Sequence, residues 1–276
     1  MAATLHLGLL VGINYAGSDS ALSGCVNDVY NVQNMLCRKL KWRQSEINVL
    51  TEKQATRQNI LVALKQLVQS ANSLLSLHPE NRVDVWFHYS GHGSQIISRS
   101  PGERDGKDET IVPYDYMKAG QITDSDLAII LSHLDSRAHF TCVFDCCHSG
   151  TILDLPYLVE SKSCVFKVDR PFQKSHWSSN SNVVCLSGCR DTQTSADYDG
   201  AGAMTTAILR VLDDHNYSLS VQQLMSDLQS TLKGDVLIKG GFTQIAQLSA
   251  NQQISPDAWF MCGESGVRDV IVSSAH

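Results

Sequence analysis

Two short segments carry the residue types of nucleophilic chemistry. Phe87-His88-Tyr89-Ser90-Gly91-His92-Gly93 ends an apolar run in a histidine between two glycines, which free the backbone to turn and leave the imidazole uncrowded. Val143-Phe144-Asp145-Cys146-Cys147-His148-Ser149-Gly150 ends a second apolar run in a thiol pair beside an Asp and a Gly. An imidazole opposite a thiol favours the thiolate, and a thiolate attacks carbonyl carbons readily. Plainer readings cover the neighbours. His88, inside an apolar run, reads as a core histidine, and His148 as a packing or capping residue. Any single one of the nine cysteines reads as a small buried hydrophobe. No C-x-x-C pair suggests a metal site, and the chain is too long to be a disulfide scaffold. A redox role for the vicinal Cys146 and Cys147 stays open, although such thiols offer only strained disulfide geometry.

Positioning these residues requires strands that end side by side. Leu5 to Ile13, Val83 to Tyr89, Phe140 to Asp145 and Asn182 to Leu186 read as buried strands, short and bounded by turn signals. Amphipathic stripes alternate with them: Val29, Val32, Leu36, Leu40; then Ile60, Leu64, Leu67, Ala71, Leu74 behind a Thr56 N-cap. A third runs through Leu127, Ile130, Leu131 and Leu134, with Asp124 as its N-cap, and a fourth through Val221, Leu224, Met225 and Leu228 behind Ser220. Apolar strands alternating with helices predict an α/β fold, a mostly parallel central β-sheet flanked by helices on both faces. Right-handed crossovers then bring all strand C-termini to one edge, where α/β sites are built. His92 and Cys147 lie about 55 residues apart, enough for one crossover between neighbouring strands. The polar interval 157–181 reads as an irregular loop dividing a larger unit, 1–156, from a smaller one, 182–276.

Composition narrows the function. The chain has 276 residues, a net charge of −6 and 43% hydrophobic residues, which excludes a mainly disordered protein. A pI near 5.9 argues against electrostatic capture of nucleic acid or an anionic membrane. Apolar stretches such as Leu7 to Ile13 are too short to span a bilayer, and the start lacks a signal-peptide pattern. The expectation is a cytoplasmic protein with no membrane insertion and no nucleic-acid partner.

The two segments resemble the signatures of the metacaspases, caspase-fold cysteine peptidases of plants, fungi, protists and bacteria. The likeness extends to Ser23-Gly24-Cys25-Val26-Asn27-Asp28, to Asp108-Glu109-Thr110-Ile111-Val112-Pro113-Tyr114-Asp115, and to the run from Ser187 to Asp197 followed by Gly202-Ala203-Met204-Thr205. It spans nearly all of Leu7 to about Phe260. The resemblance implies a caspase-like fold with Cys147 as nucleophile, since the family's thiol directly precedes His-Ser-Gly, and His92 as general acid and base. It implies backbone amides near Cys147 and Gly93 as the oxyanion site. Cys25, Asp28, Ser90 and Asp145 would line the primary pocket, and two carboxylates there would select Arg or Lys. As a plainer reading, Asp28 serves as an N-cap or first-turn acid of the Val29 helix.

The resemblance also implies a calcium site at Asp108, Asp124 and Asp154, hard oxygen donors of the kind Ca²⁺ takes. Ser125 stands where many relatives have a second consecutive Asp, which weakens the site unless Asp126 or Asp105 substitutes. A first strand this near the start suggests a type I-like core without a prodomain. Family analogy implies a monomer acting on protein or peptide substrates. Lys162, Lys167, Arg170 and Lys174 in the polar interval are candidate self-cleavage positions for a pocket that accepts basic residues. Two other functions are a catalytically silent scaffold of the same fold and the thiol redox sensor.

Overall fold

The computed structural model describes residues 3–97, 106–146, 152–160, 167–168, 182–188, 197–198, 201–239 and 245–262. In chain order the strands are β1 (Thr4–Gly12), β2 (Ile47–Thr51), β3 (Arg82–Ser90), β4 (Gly93–Ile97), β5 (Lys107–Ile111), β6 (Ile122–Thr123), β7 (Ala138–Asp145), β8 (Tyr157–Glu160), β9 (Lys167–Val168), β10 (Asn182–Ser187), β11 (Asp197–Tyr198), β12 (Ala201–Gly202), β13 (Ser218–Ser220), β14 (Gln247–Ala250) and β15 (Trp259–Cys262). The helices are α1 (Cys25–Arg38), α2 (Arg57–Leu77), α3 (Tyr116–Ala119), α4 (Asp124–Leu131), α5 (Ala203–Asp214) and α6 (Val221–Lys239).

Eight strands form the central sheet in the order β2-β1-β3-β7-β10-β14-β8-β9. The first five run parallel, and each pairing from β10 through β14 and β8 to β9 is antiparallel. Strand alternation sends Leu10, Trp86, Val143 and Leu186 to one face, where α1, α5 and α6 pack. Leu9, Val11, Phe87 and Phe140 go to the other, beneath α2 and α4. Both faces are therefore covered, and the central strands are mostly apolar rather than alternating.

The four helix stripes form, although Leu40 and Leu134 lie beyond the ends of α1 and α4. Thr56 caps α2 by accepting the Asn59 N–H at 3.2 Å, and Ser220 accepts the Gln223 N–H at 3.2 Å ahead of α6. α2 has 21 residues and is apolar enough by length and composition to cross a membrane. Its stripe from Ile60 to Leu75 is instead buried in the α2 and α4 face of the core.

Two features differ from the sequence reading. Tyr157–Glu160 is a sheet strand, β8, paired with β14, and Lys167–Val168 pairs with it in turn, so the divide between the units is not wholly irregular. Thr123, not Asp124, is the N-cap of α4. It accepts the Asp126 N–H at 3.1 Å while the Asp126 carboxylate accepts the Thr123 N–H at 3.4 Å. Asp28 is a first-turn acid of α1, one of the two places the plainer reading gave it, and Gly24 holds the cap position.

Candidate active site

β3 and β7 are neighbours in parallel register, and the last pair of that register is Ser90 with Asp145. The Gly91 N–H donates to the Asp145 carbonyl at 3.3 Å, which ties the two strand ends together. His92 is two residues beyond Ser90, and Cys147 is two residues beyond Asp145. Cys147 lies outside the described residues, as do His148, Ser149 and Gly150. Cys146 is described and fully buried.

His92 is half-buried and held by its ring. Nε2 lies 2.7 Å from the Ser20 carbonyl oxygen. A carbonyl can only accept, so the proton sits on Nε2, and in the neutral imidazole Nδ1 is left as a base. The Tyr15 ring packs against the imidazole at 4.8 Å between centroids. His88, by contrast, points into the core, fully enclosed, with Nε2 3.3 Å from Thr205 Oγ1. Burial drives its pKa down to about 3, so it is a neutral core histidine.

The candidate pocket residues do come together. Ser90 Oγ donates to Asp28 Oδ2 at 2.5 Å. The Gly202 N–H, directly ahead of α5, donates to both Asp28 oxygens at 3.0 Å. The Thr205 N–H donates to Asp145 Oδ2 at 2.7 Å. Cys25, Asp28, Ser90 and Asp145 are all buried, so the start of α5 closes over the acids. Backbone donors at a helix N-terminus favour ionised carboxylates. Gly202 is required by space: an added Cβ would overlap Asp145 Oδ2 and stand 2.8 Å from Asp28 Oδ2. In the sequence the Gly202 to Thr205 run stands out only by its family resemblance. Its glycine was the available signal that a backbone must approach something closely.

Of the acids named for calcium, Asp108 lies on β5 of the hairpin sheet that follows His92, Asp124 opens α4, and Asp154 lies between β7 and β8. Asp108 and Asp124 are buried, as is Glu109 beside them. Burial, then the neighbouring Asp154 charge, pushes the Asp124 carboxyl up to about 8, with Glu109 and Asp108 adding to it. Asp108 Oδ1 and Asp124 Oδ2 are buried without a hydrogen-bond partner. Two orphaned carboxylate oxygens among like charges suit a hard cation. Among the described residues, however, no three such side chains stand close enough to hold a metal ion as they are. Ser125 supplies only its N–H, to Asp124 Oδ1 at 2.5 Å. Asp126 Oδ2 accepts the Thr123 N–H at the α4 cap and pairs with Arg57 at 2.8 Å. Asp105 lies outside the described residues, and so do Lys162, Arg170 and Lys174, whereas Lys167 pairs with Leu158 in β9.

The sequence model of the family described as "Metacaspase, peptidase C14 domain" matches residues 7–156, the span from β1 through both strand ends. The chain belongs to the metacaspase family. It is 34% identical to metacaspase-1 of Mycosarcoma maydis, over 92% of this chain and 72% of that one. Against metacaspase-2 of Trypanosoma brucei brucei it is 36% identical, over 93% of this chain and 76% of the relative. A Cryptococcus neoformans metacaspase-1 is 32% identical, and there the match spans 64% of the relative's length. A solved protein from Geobacter sulfurreducens superposes with a TM-score of 0.64 at 22% identity, covering 97% of this chain and 99% of its own, which shows the fold alone. This metacaspase therefore has the caspase-like fold, and its family makes it a cysteine peptidase, a hydrolase of proteins.

Proposed function

We propose that this metacaspase cleaves peptide bonds after Arg or Lys through a Cys147–His92 dyad, and that Ca²⁺ switches the activity on. The reading is carried by the β3–β7 register, in which Ser90 faces Asp145 and each stands two residues ahead of a dyad member. In the forward reaction the Cys147 thiolate attacks the scissile carbonyl carbon. Amides near Cys147 and Gly93 stabilise the resulting oxyanion. His92, protonated, gives its Nδ1 proton to the leaving amine as the bond breaks and an acyl-enzyme remains. His92 then takes a proton from water, which attacks the acyl carbon and releases Cys147. The Ser20 carbonyl on Nε2 keeps Nδ1 in that role.

Asp28 and Asp145 supply two charges for a guanidinium or ammonium group, and the backbone donors on them support their ionised form. Both acids lie beneath the start of α5, whose backbone donors set their orientation. Asp108, Asp124 and Asp154 would hold the calcium ion. Bound there, it supplies the positive charge that lets crowded carboxylates ionise together, and steadies the hairpin that follows His92. Within the same proposal the enzyme is a cytoplasmic monomer that cuts itself between Lys162 and Lys174. The decisive experiment assays Arg-, Lys- and Asp-ended fluorogenic peptides with and without Ca²⁺, with Cys147→Ala and His92→Ala in parallel. Turnover of basic peptides only, dependent on calcium and on both residues, is expected. Turnover of the Asp peptide, or by either variant, contradicts it.

A further inference from the structure

We propose that Tyr15 and Tyr89 are positioning residues that hold both backbone groups of His92 and thereby aim its imidazole. The inference rests on the reading of His92 as the catalytic acid and base. Tyr15 is 3% exposed and Tyr89 fully buried, and their hydroxyls meet at 3.2 Å beneath His92. Tyr15 Oη accepts the His92 N–H at 3.1 Å and donates to the Val112 carbonyl at 2.6 Å. Tyr89 Oη donates to the His92 carbonyl at 2.8 Å; the Val112 N–H is shared between that carbonyl, at 3.1 Å, and Tyr89 Oη, at 3.2 Å. Each phenol has one proton, and this assignment uses each once.

The same tyrosine fixes the ring. Tyr15 packs on the imidazole and begins the loop that presents the Ser20 carbonyl to Nε2. The Tyr15 carbonyl accepts both the Ser18 N–H at 3.1 Å and the Ser18 hydroxyl at 2.8 Å. Tyr15 stands at φ +52°, a conformation disfavoured for a bulky residue and maintained by the surrounding bonds. Gly91 completes the device: a Cβ there would lie 2.7 Å from Tyr89 Oη and 3.1 Å from Tyr15 Oη. The glycine before His92 thus leaves room for two phenols, beyond any freedom it lends the turn. Burial pushes both phenols above the usual tyrosine range, so neither ionises during catalysis.

The test compares wild type, Tyr15→Phe, Tyr89→Phe and His92→Ala as full chains, with an Arg fluorogenic peptide and Ca²⁺ across pH. Each Phe variant keeps its ring and loses its hydroxyl. The expected result is a fall in kcat of about 10- to 100-fold at nearly constant KM, with a shifted pH–rate profile. The pH dependence of Cys147 alkylation by iodoacetamide is expected to shift in the same variants. Unchanged kcat and pH profiles overturn the proposal. So does a loss of activity accounted for by unfolded protein in thermal melts, and if only Tyr89→Phe folds, it decides alone. Turnover by His92→Ala refutes the dyad itself, whereas an inactive His92→Ala beside unaffected Phe variants removes only the positioning role.

Discussion

Replacing Gly202 with Ala is expected to damage recognition of basic substrates far more than its single methyl group suggests. The new Cβ would overlap Asp145 Oδ2, with Asp145 Cγ at 2.6 Å and Asp28 Oδ2 at 2.8 Å. Restoring ordinary contact requires the start of α5 or the Asp145 carboxylate to move by more than an ångström. That movement breaks the bonds from the Gly202 N–H to Asp28 and from the Thr205 N–H to Asp145, both made to buried carboxylates. Hydrogen bonds to charged groups contribute about 1.5–3 kcal/mol each. Partial loss of the pair, at about 2–4 kcal/mol, corresponds to a fall of roughly 30- to 1,000-fold in kcat/KM. The assay is steady-state hydrolysis of Arg and Lys fluorogenic peptides in Ca²⁺. Iodoacetamide labelling of Cys147 reports whether the nucleophile survives, and a thermal melt reports folding. A Gly202→Ala enzyme that is folded and has wild-type kcat/KM for Arg peptides would refute the reasoning that the backbone of α5 sets the acids.

Cys146→Ala is expected to retain most turnover while Cys147→Ala retains none, because Cys146 is sealed in the core beneath the strand end; equal losses contradict the assignment. Asp124→Asn is expected to raise the melting temperature without calcium, by removing a buried like-charge clash, and to abolish the rise on adding Ca²⁺; a retained calcium shift refutes the ligand role. His88 has a pKa of about 3 when folded against about 6.5 when unfolded, so between those values the unfolded chain binds more protons. Its contribution to stability is complete above about pH 6.5 and is lost toward pH 3, at up to about 1.4 kcal/mol per pH unit. Urea midpoints measured across that range are expected to fall less steeply for His88→Gln, and parallel slopes contradict this.

The strands legible in the sequence are those whose environment is uniform. β1, β3, β7 and β10 are buried on both faces over most of their length, so their runs are largely apolar. Their adjacency followed from crossover geometry, which made the His92 strand end a neighbour of the Cys147 one before any register was known. β8 and β14 were not legible, because pairing Tyr157 with Ala250 is a tertiary choice that four-residue strands do not encode. α5 was passed over because Ala203, Met204, Thr205, Ala207 and Ile208 are all buried, leaving no clear polar face in its first turns. Tyr15 carried no signal at all. Asn14-Tyr15-Ala16-Gly17 reads as a loop, and its partners Tyr89 and Val112 lie 74 and 97 residues along the chain.

In the proposed reaction one thiol answers to one basic side chain. Treating the full chain with a peptidyl-arginine alkylating probe and locating the adduct by peptide mass spectrometry tests it most directly. The account predicts a stoichiometric adduct on Cys147, formed with Ca²⁺, blocked by excess Arg peptide and absent from His92→Ala. An adduct on Cys146, or equal labelling by a matched peptidyl-aspartate probe, would contradict it.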